Sequence, residues 1–309
     1  MTAGPVYSVA VPVVRLADGG RRAGRVLGGS RGTRYVVFGR TVVAITLPGV
    51  PRMPTAVVMC TANPFPDPGS RAELRPGRLL AGDLEITWDP VSPPTWDPRI
   101  PSVQFVDPMA VGRRGEAILA RLGPTSFRSS PDSLSGALSA VGPDIGLRRG
   151  FDLLLRSLEE GSPTRARASA EALVGLGGGA TPEGDDWLAG AACAVHVLRP
   201  AWAPRWFEAI LPADLEARTT ALSATLLRLA AEGAAMEPVR PLLDFGTEAA
   251  GEVGVPALLE VGRSTGRAYA SSIGEVLRLL GGTNDAIHQR RREGPRRHPA
   301  PGPRYALRR

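Results

Sequence analysis

The spacing of apolar residues changes period once in this 309-residue chain, near Val111, and that change constrains the fold more than any other feature. Before it the pattern is β. Residues 7–16 are rich in valine, and 35–38 with 41–47 flank Gly39-Arg40, a two-residue hairpin signal. Residues 55–62 and 78–88 supply further candidate strands, the latter with Gly82-Asp83 at a turn. Prolines and glycines mark 63–77 and 89–108 as loops. Trp-Asp-Pro occurs twice, at Trp88 and Trp96, and reads as two turns each anchored by a buried tryptophan.

After Val111 the apolar residues recur at three- and four-residue spacings. They predict helices over 113–122, 133–141, 145–159, 163–174, 183–198, 204–210, 213–231, 238–245, 256–261 and 265–280. Ser162-Pro163 is a helix start, a serine cap followed by proline at the first helical position. Strands and helices are segregated rather than alternating, so the expected class is α+β and not a doubly wound nucleotide-binding fold. Three regions are expected: a β-rich region 1–110, a helical domain 111–287, and a disordered basic tail 288–309.

A formal charge of +7 suggests nucleic acid or a membrane surface until the charge is located. Residues 288–309 hold eight arginines against one glutamate, so the remainder of the chain sums to about zero. The basic character belongs to the tail, and nucleic acid is not an expected partner. The chain contains no lysine, which excludes Schiff-base and P-loop lysine chemistry. Cys60 and Cys193 read as buried free thiols rather than a disulfide or zinc framework. His196, alone before the tail, reads as a structural histidine within a helix, so a Ser-His-Asp triad is not supported. No basic leader and no long apolar span is legible, and a cytoplasmic protein is expected.

The strongest functional signal is GLGGGATPEGDDWLAG at 175–190. A helix-ending glycine, a threonine cap and acidic residues in the first helical turn account for part of it. They leave unexplained the run Gly177, Gly178 and Gly179, and Gly184 within the helix start, where glycine costs conformational entropy. Backbone amides of 177–184, with Thr181 at the cap, suit a phosphate or carboxylate. Asp185 and Asp186 would repel such an anion. Either one of them faces a bridging divalent ion, with magnesium the cofactor this allows, or it accepts a hydrogen bond from a substrate amide. Two adjacent helical side chains diverge by about 100°, so only one can face the ligand. Asp185, nearer the loop, is the one expected to do so.

Two later segments carry similar chemistry. Arg218, Thr219, Thr220 and Ser223 lie in ARTTALSATLLRLAAEG, where Thr219 and Ser223 would share a helical face. Gly262, Arg263, Ser264, Thr265 and Gly266 form a second polar glycine turn opening a helix.

The pattern Gly175, Gly177, Gly179, Thr181, Pro182, Gly184, Asp185, Asp186, Leu188 and Gly190 resembles the signature of a family that includes the AllH subunit of oxamate carbamoyltransferase. The Thr-Thr-x-x-Ser segment at 219–223 and the turn at 262–266 resemble two further elements of that family. Arg263 stands where histidine is common there, and an acidic residue expected soon after is missing. The resemblance implies carbamoyl transfer between phosphate and a small amide or acid: oxalurate plus phosphate giving oxamate plus carbamoyl phosphate, or a relative of that reaction. It implies other protein subunits as partners. Amides of 177–184 would hold the phosphate, Arg218 or Arg263 the carboxylate, and Thr219, Thr220 and Ser223 the carbonyl. Two rivals stand beside it: a binding or accessory subunit without chemistry, and a magnesium-dependent helical hydrolase with Asp185 and Asp186 as ligands. The hydrolase needs a third carboxylate, and nothing singles out Asp144, Asp152 or Asp214.

Overall fold

A computed structural model describes residues 2–60, 65–103, 106–123, 143–246 and 250–293. The β region holds β1 (Thr2–Ala10), α1 (Val11–Asp18), β2 (Arg22–Ser30), β3 (Thr33–Phe38), β4 (Thr41–Thr46), β5 (Ala56–Met59), β6 (Arg71–Arg75), β7 (Arg78–Ala81), β8 (Leu84–Thr87) and β9 (Thr95–Trp96). The sheet runs β5-β4-β3-β2-β6-β7-β8-β1-β9 and curls until β1 also meets β5. The first half of β1 pairs parallel with β8, and Val6, Ser8 and Val9 pair antiparallel with Met59, Val58 and Val57. Closure in this way leaves few unpaired edges.

Alternation along the strands divides the β region between two cores. Val43 and Ile45 of β4, with Val57 and Met59 of β5, point into the curled sheet against Phe38, Leu74, Leu79 and Ile86. Their neighbours Val42, Ala44, Ala56 and Val58 point outward and join the helical core. These two strands are apolar on both faces, as a strand buried on both sides must be.

The structure corrects several expectations. Residues 11–16 are helical, not strand: α1 starts after Ala10 with Pro12 in its first turn. There the missing N–H is harmless, whereas in a sheet it would break the ladder. Val13 and Ala17, four apart, pack into the curled sheet. β2 has no alternating signal because Val26 alone of its residues is buried. Gly24 admits the Phe38 ring, which lies 2.5 Å from where a Cβ would stand. β6 and β9 lie in stretches expected to be loops. The turns after Trp88 and Trp96 are formed as expected: Asp89 and Asp97 each accept the amide two residues on, Val91 at 2.8 Å and Arg99 at 3.0 Å. Trp88 is buried, while Trp96 is half-buried beneath the Arg52 guanidinium.

The helical part comprises α2 (Pro108–Leu122), α3 (Pro143–Glu160), α4 (Pro163–Leu173), α5 (Glu183–Leu198), α6 (Ala203–Ile210), α7 (Leu215–Arg218), α8 (Ala221–Ala231), α9 (Val239–Leu242), α10 (Ala250–Leu259) and α11 (Thr265–Glu293). The α+β class is as expected. The helix expected at 133–141 lies outside the described residues. The expected helix 213–231 is broken at Thr219, whose backbone is extended (φ −140°, ψ 179°), and Thr220 caps α8. α10 begins ahead of the expected 256, through glycines that weaken the sequence signal. α11 runs past the expected tail boundary at 288.

At the centre lies α5. Every residue from Gly184 to Val195 is buried, because α3, α4, α6, α8 and α11 all pack on it. A helix apolar on all sides belongs in a core.

Candidate functional site

The glycine loop joins α4 to α5. Three of its glycines answer to the protein's own backbone, among them Gly177, where a Cβ would stand 2.8 Å from the Glu183 nitrogen. A Cβ on Gly175 would stand 2.1 Å from the Arg218 carbonyl oxygen, and one on Gly184 would stand 2.1 Å from that of Leu173. Gly177 and Gly179 adopt φ of 114° and 93°, a region that side chains disfavour. Gly178 alone has neither a positive φ nor any neighbour within 4 Å of a Cβ, so neither packing nor backbone geometry requires glycine there.

Residues 177–180 are exposed. Among the described residues the amides of Gly177 through Thr181 donate to no other group, whereas Gly184 N–H donates to the Leu176 carbonyl at 2.9 Å. The amides left for an anion are therefore those of the loop itself, and Gly184 leaves the expected set.

The two aspartates diverge. Asp185 Oδ1 accepts the Gly175 N–H at 2.9 Å, and Oδ2 accepts the Thr219 hydroxyl. Burial raises its pKa, and the Thr219 and Gly175 bonds, with the nearby Ser223 hydroxyl, oppose that rise. Asp185 thus ties the end of α4 to the break between α7 and α8. Asp186 faces the start of α11. It is 2% exposed, and its Oδ2 has no hydrogen-bond partner. Burial pushes its pKa up to about 8, helped by the charges of Asp185 and Glu183 and opposed by the Thr265 and Thr181 hydroxyls.

Thr181 Oγ1 and Thr265 Oγ1 lie 2.8 Å apart. The two glycine turns, separate in sequence, therefore meet in one place, with the positive ends of α5 and α11 side by side. Among the described residues the amides of Arg263, Ser264 and Thr265 donate to no other group, and Gly266 donates to the Val261 carbonyl at 3.0 Å. Gly262 turns the chain with φ 63°, and Arg263 and Ser264 are exposed at the rim.

Thr220 and Arg218 are held in structural bonds. Thr220 accepts the Ser223 N–H at 3.1 Å as the cap of α8, and its hydroxyl donates to the Ala180 carbonyl at 2.6 Å, pinning the loop. Ser223 Oγ is buried without a hydrogen bond of its own. Arg218 donates to the Glu171 carbonyl at 3.1 Å, at the C-terminal end of α4, where a cation suits the helix dipole.

Tyr269 is a group that sequence reasoning passed over. It lies one turn into α11, 2% exposed, and burial together with the charges of Asp186 and Asp185 raises its hydroxyl well above the usual range. Its only sequence signal is an i, i+4 spacing from Thr265.

Asp185 and Asp186 do not converge, and among the described residues no three of His, Cys, Asp and Glu gather as a metal site requires. The pair does not fit a shared magnesium ion. His196 packs as expected, stacked on Phe207 and over Gly233. Cys193 is buried and its thiol is pushed up to about 12, but Cys60 is exposed at the end of β5, correcting the expectation of two buried thiols. Among the described residues no helix is long and apolar enough to cross a membrane.

No curated protein and no solved structure matches the chain. Residues 173–275, which run from the end of α4 through the first third of α11 and contain every candidate group above, match the family model of the oxamate carbamoyltransferase subunit AllH.

Proposed function

We propose that this chain is a subunit of an oxamate carbamoyltransferase-like enzyme, and that the junction of α5 and α11 holds its small anionic substrate, phosphate or carbamoyl phosphate. In the phosphorolytic direction a phosphate oxygen attacks the terminal carbamoyl carbon of oxalurate. The C–N bond breaks, and the nitrogen takes a proton to leave as oxamate. That reaction asks a protein to position two anions and to place donors where charge develops on the carbonyl oxygen. The free loop amides of 177–181 suit the phosphoryl oxygens, and Arg263 at the rim offers a cation for the carboxylate. The observation that carries the reading is the junction itself, where free loop amides meet a second helix start through Thr181 and Thr265 and a buried Asp186 oxygen is left unpartnered.

A non-catalytic binding subunit is favoured by one specific observation. Thr219 and Thr220 already hold the loop through Asp185 and Ala180, and so are not free to meet a carbonyl. In that case the reacting groups come from partner subunits, and this chain presents the anion.

The test is phosphorolysis of oxalurate by the chain co-purified with its neighbouring-gene products, alongside phosphate-induced thermal stabilisation of the chain alone. Stabilisation by phosphate with turnover only in the assembly supports the reading. Absence of any anion effect in both preparations overturns it.

A further inference from the structure

A carboxyl group beside an anion cradle is a contradiction if it is ionised. Asp186 is buried beside the Thr181 and Thr265 side chains, residues whose own amides are free, at two helix starts, and the groups around it decide its state. On its own helix stand Asp185 and Glu183, both of which disfavour a charge on it. From α11 come the Thr265 hydroxyl and Tyr269, the latter itself held neutral. Among the described residues no cation from α3, α4, α6, α8 or α11 acts on it. An isolated buried carboxylate is costly, and the protonated form is the usual resolution.

The protonated form also changes what the group can do. A carboxylate only accepts hydrogen bonds, whereas a carboxylic acid has one O–H to donate. Asp186 Oδ2 makes no hydrogen bond within the protein. The Thr265 and Thr181 hydroxyls stand beside the carboxyl group, but neither meets Oδ2 at hydrogen-bond geometry, although buried polar atoms are nearly always partnered.

We propose that Asp186 serves as a neutral carboxylic acid, donating a hydrogen bond from Oδ2 to an oxygen of the small oxyanion held at the junction of α5 and α11. This rests on the anion site argued above and names the ligand class that fits it: an oxyanion with an acceptor oxygen directed at α5, without a metal bridge. Thr181 and Thr265, hydrogen-bonded to one another, act as positioning residues that hold the carboxyl group between them. The ionised form of Asp186 repels the same ligand, so the site binds anions only while the proton is present.

The experiment is calorimetric titration of the full-length chain with sulfate, whose charge is constant over the range used. Wild type, Asp186→Asn and Asp186→Ala are compared at about pH 6.5 and about pH 9. Wild type should bind about tenfold more weakly at the higher pH, one unit above the pKa of about 8. Asp186→Asn, a permanent donor of nearly the same shape, should bind within about threefold of wild type at the lower pH and lose the pH dependence. Asp186→Ala should bind at least about tenfold more weakly at the lower pH. A carboxyl-carbon NMR titration of wild-type protein labelled at aspartate gives a readout independent of the variants, with the Asp186 titration moving to higher pH when sulfate is present. The proposal is overturned if Asp186→Asn binds as weakly as Asp186→Ala, if wild-type affinity does not change with pH, or if Asp186 titrates in the ordinary carboxylate range. Wild-type binding that persists in those outcomes leaves the anion site intact and removes only the neutral acid. Loss of sulfate and phosphate binding by wild type at both pH values removes both.

Discussion

The Thr181 and Thr265 hydroxyls, 84 residues apart in sequence, lie 2.8 Å from one another and join the starts of two buried helices. Thr265 opens α11, whereas Thr181 stands one residue before Pro182, which takes the cap position of α5 in place of the expected threonine cap. A bond between two neutral hydroxyls contributes about 1 kcal/mol, yet this one sets the position of the carboxyl group beside it. Changing either residue to valine should lower stability by about 1 kcal/mol, and the double change should cost less than the sum of the two. Urea unfolding of the two single variants and the double variant measures this. Strict additivity would mean that the pair is not coupled.

Asp185 and Asp186 should separate cleanly by stability. Asp185→Ala leaves the Gly175 N–H and the Thr219 hydroxyl without their acceptor, a loss of about 2–4 kcal/mol for two stranded groups. Asp186→Asn strands nothing and should leave the midpoint of unfolding unchanged or higher at neutral pH. Chemical denaturation of both variants at neutral pH is the check.

The pH dependence of stability follows from Asp186. Its folded pKa is raised from 3.8 to about 8, so the folded state binds the proton more tightly than the unfolded chain. That stabilisation is fully present below about pH 4 and is lost as pH rises through about 8. Asp185 is raised as well, and its contribution has the same sign. Over about pH 5 to about pH 8 the melting temperature should fall for wild type and fall less for Asp186→Asn. Parallel slopes for the two proteins would show that Asp186 is ionised throughout.

The glycines should sort by what a Cβ would meet. Gly184→Ala and Gly266→Ala place a methyl 2.1 Å from the Leu173 carbonyl oxygen and 1.7 Å from that of Leu258, and each should cost at least about 3 kcal/mol as helices are forced apart. Gly178→Ala meets nothing within 4 Å at an ordinary φ. It should keep wild-type stability and still weaken phosphate binding, since its methyl would stand where the ligand approaches. Melting temperature and phosphate titration on the same samples read both effects. Unchanged phosphate binding by Gly178→Ala would take the loop out of the site.

Local periodicity was enough to place most helices after Val111, and it placed the hairpins at Gly39-Arg40 and Gly82-Asp83, because those signals depend on residues three to four, or two, apart. The same logic made 175–190 conspicuous, since glycine runs at a helix start cost entropy whatever the fold. It failed where neighbours from elsewhere decide. Pro12 is compatible with a helix start or a sheet edge, and the curled sheet that buries Val13 and Ala17 makes the choice. The break at Thr219 is invisible in ARTTALSATLLRL, because the bond that stabilises it comes from Asp185 on another helix. The sequence placed Asp185 nearer the ligand by its position along the chain. Tertiary packing gives Asp185 its partners, Gly175 and Thr219, and leaves Asp186 buried with an unpartnered oxygen. Which of two adjacent carboxyl groups is satisfied depends on where each points about the helix axis, and only the packing of α8 and α11 against α5 fixes that direction.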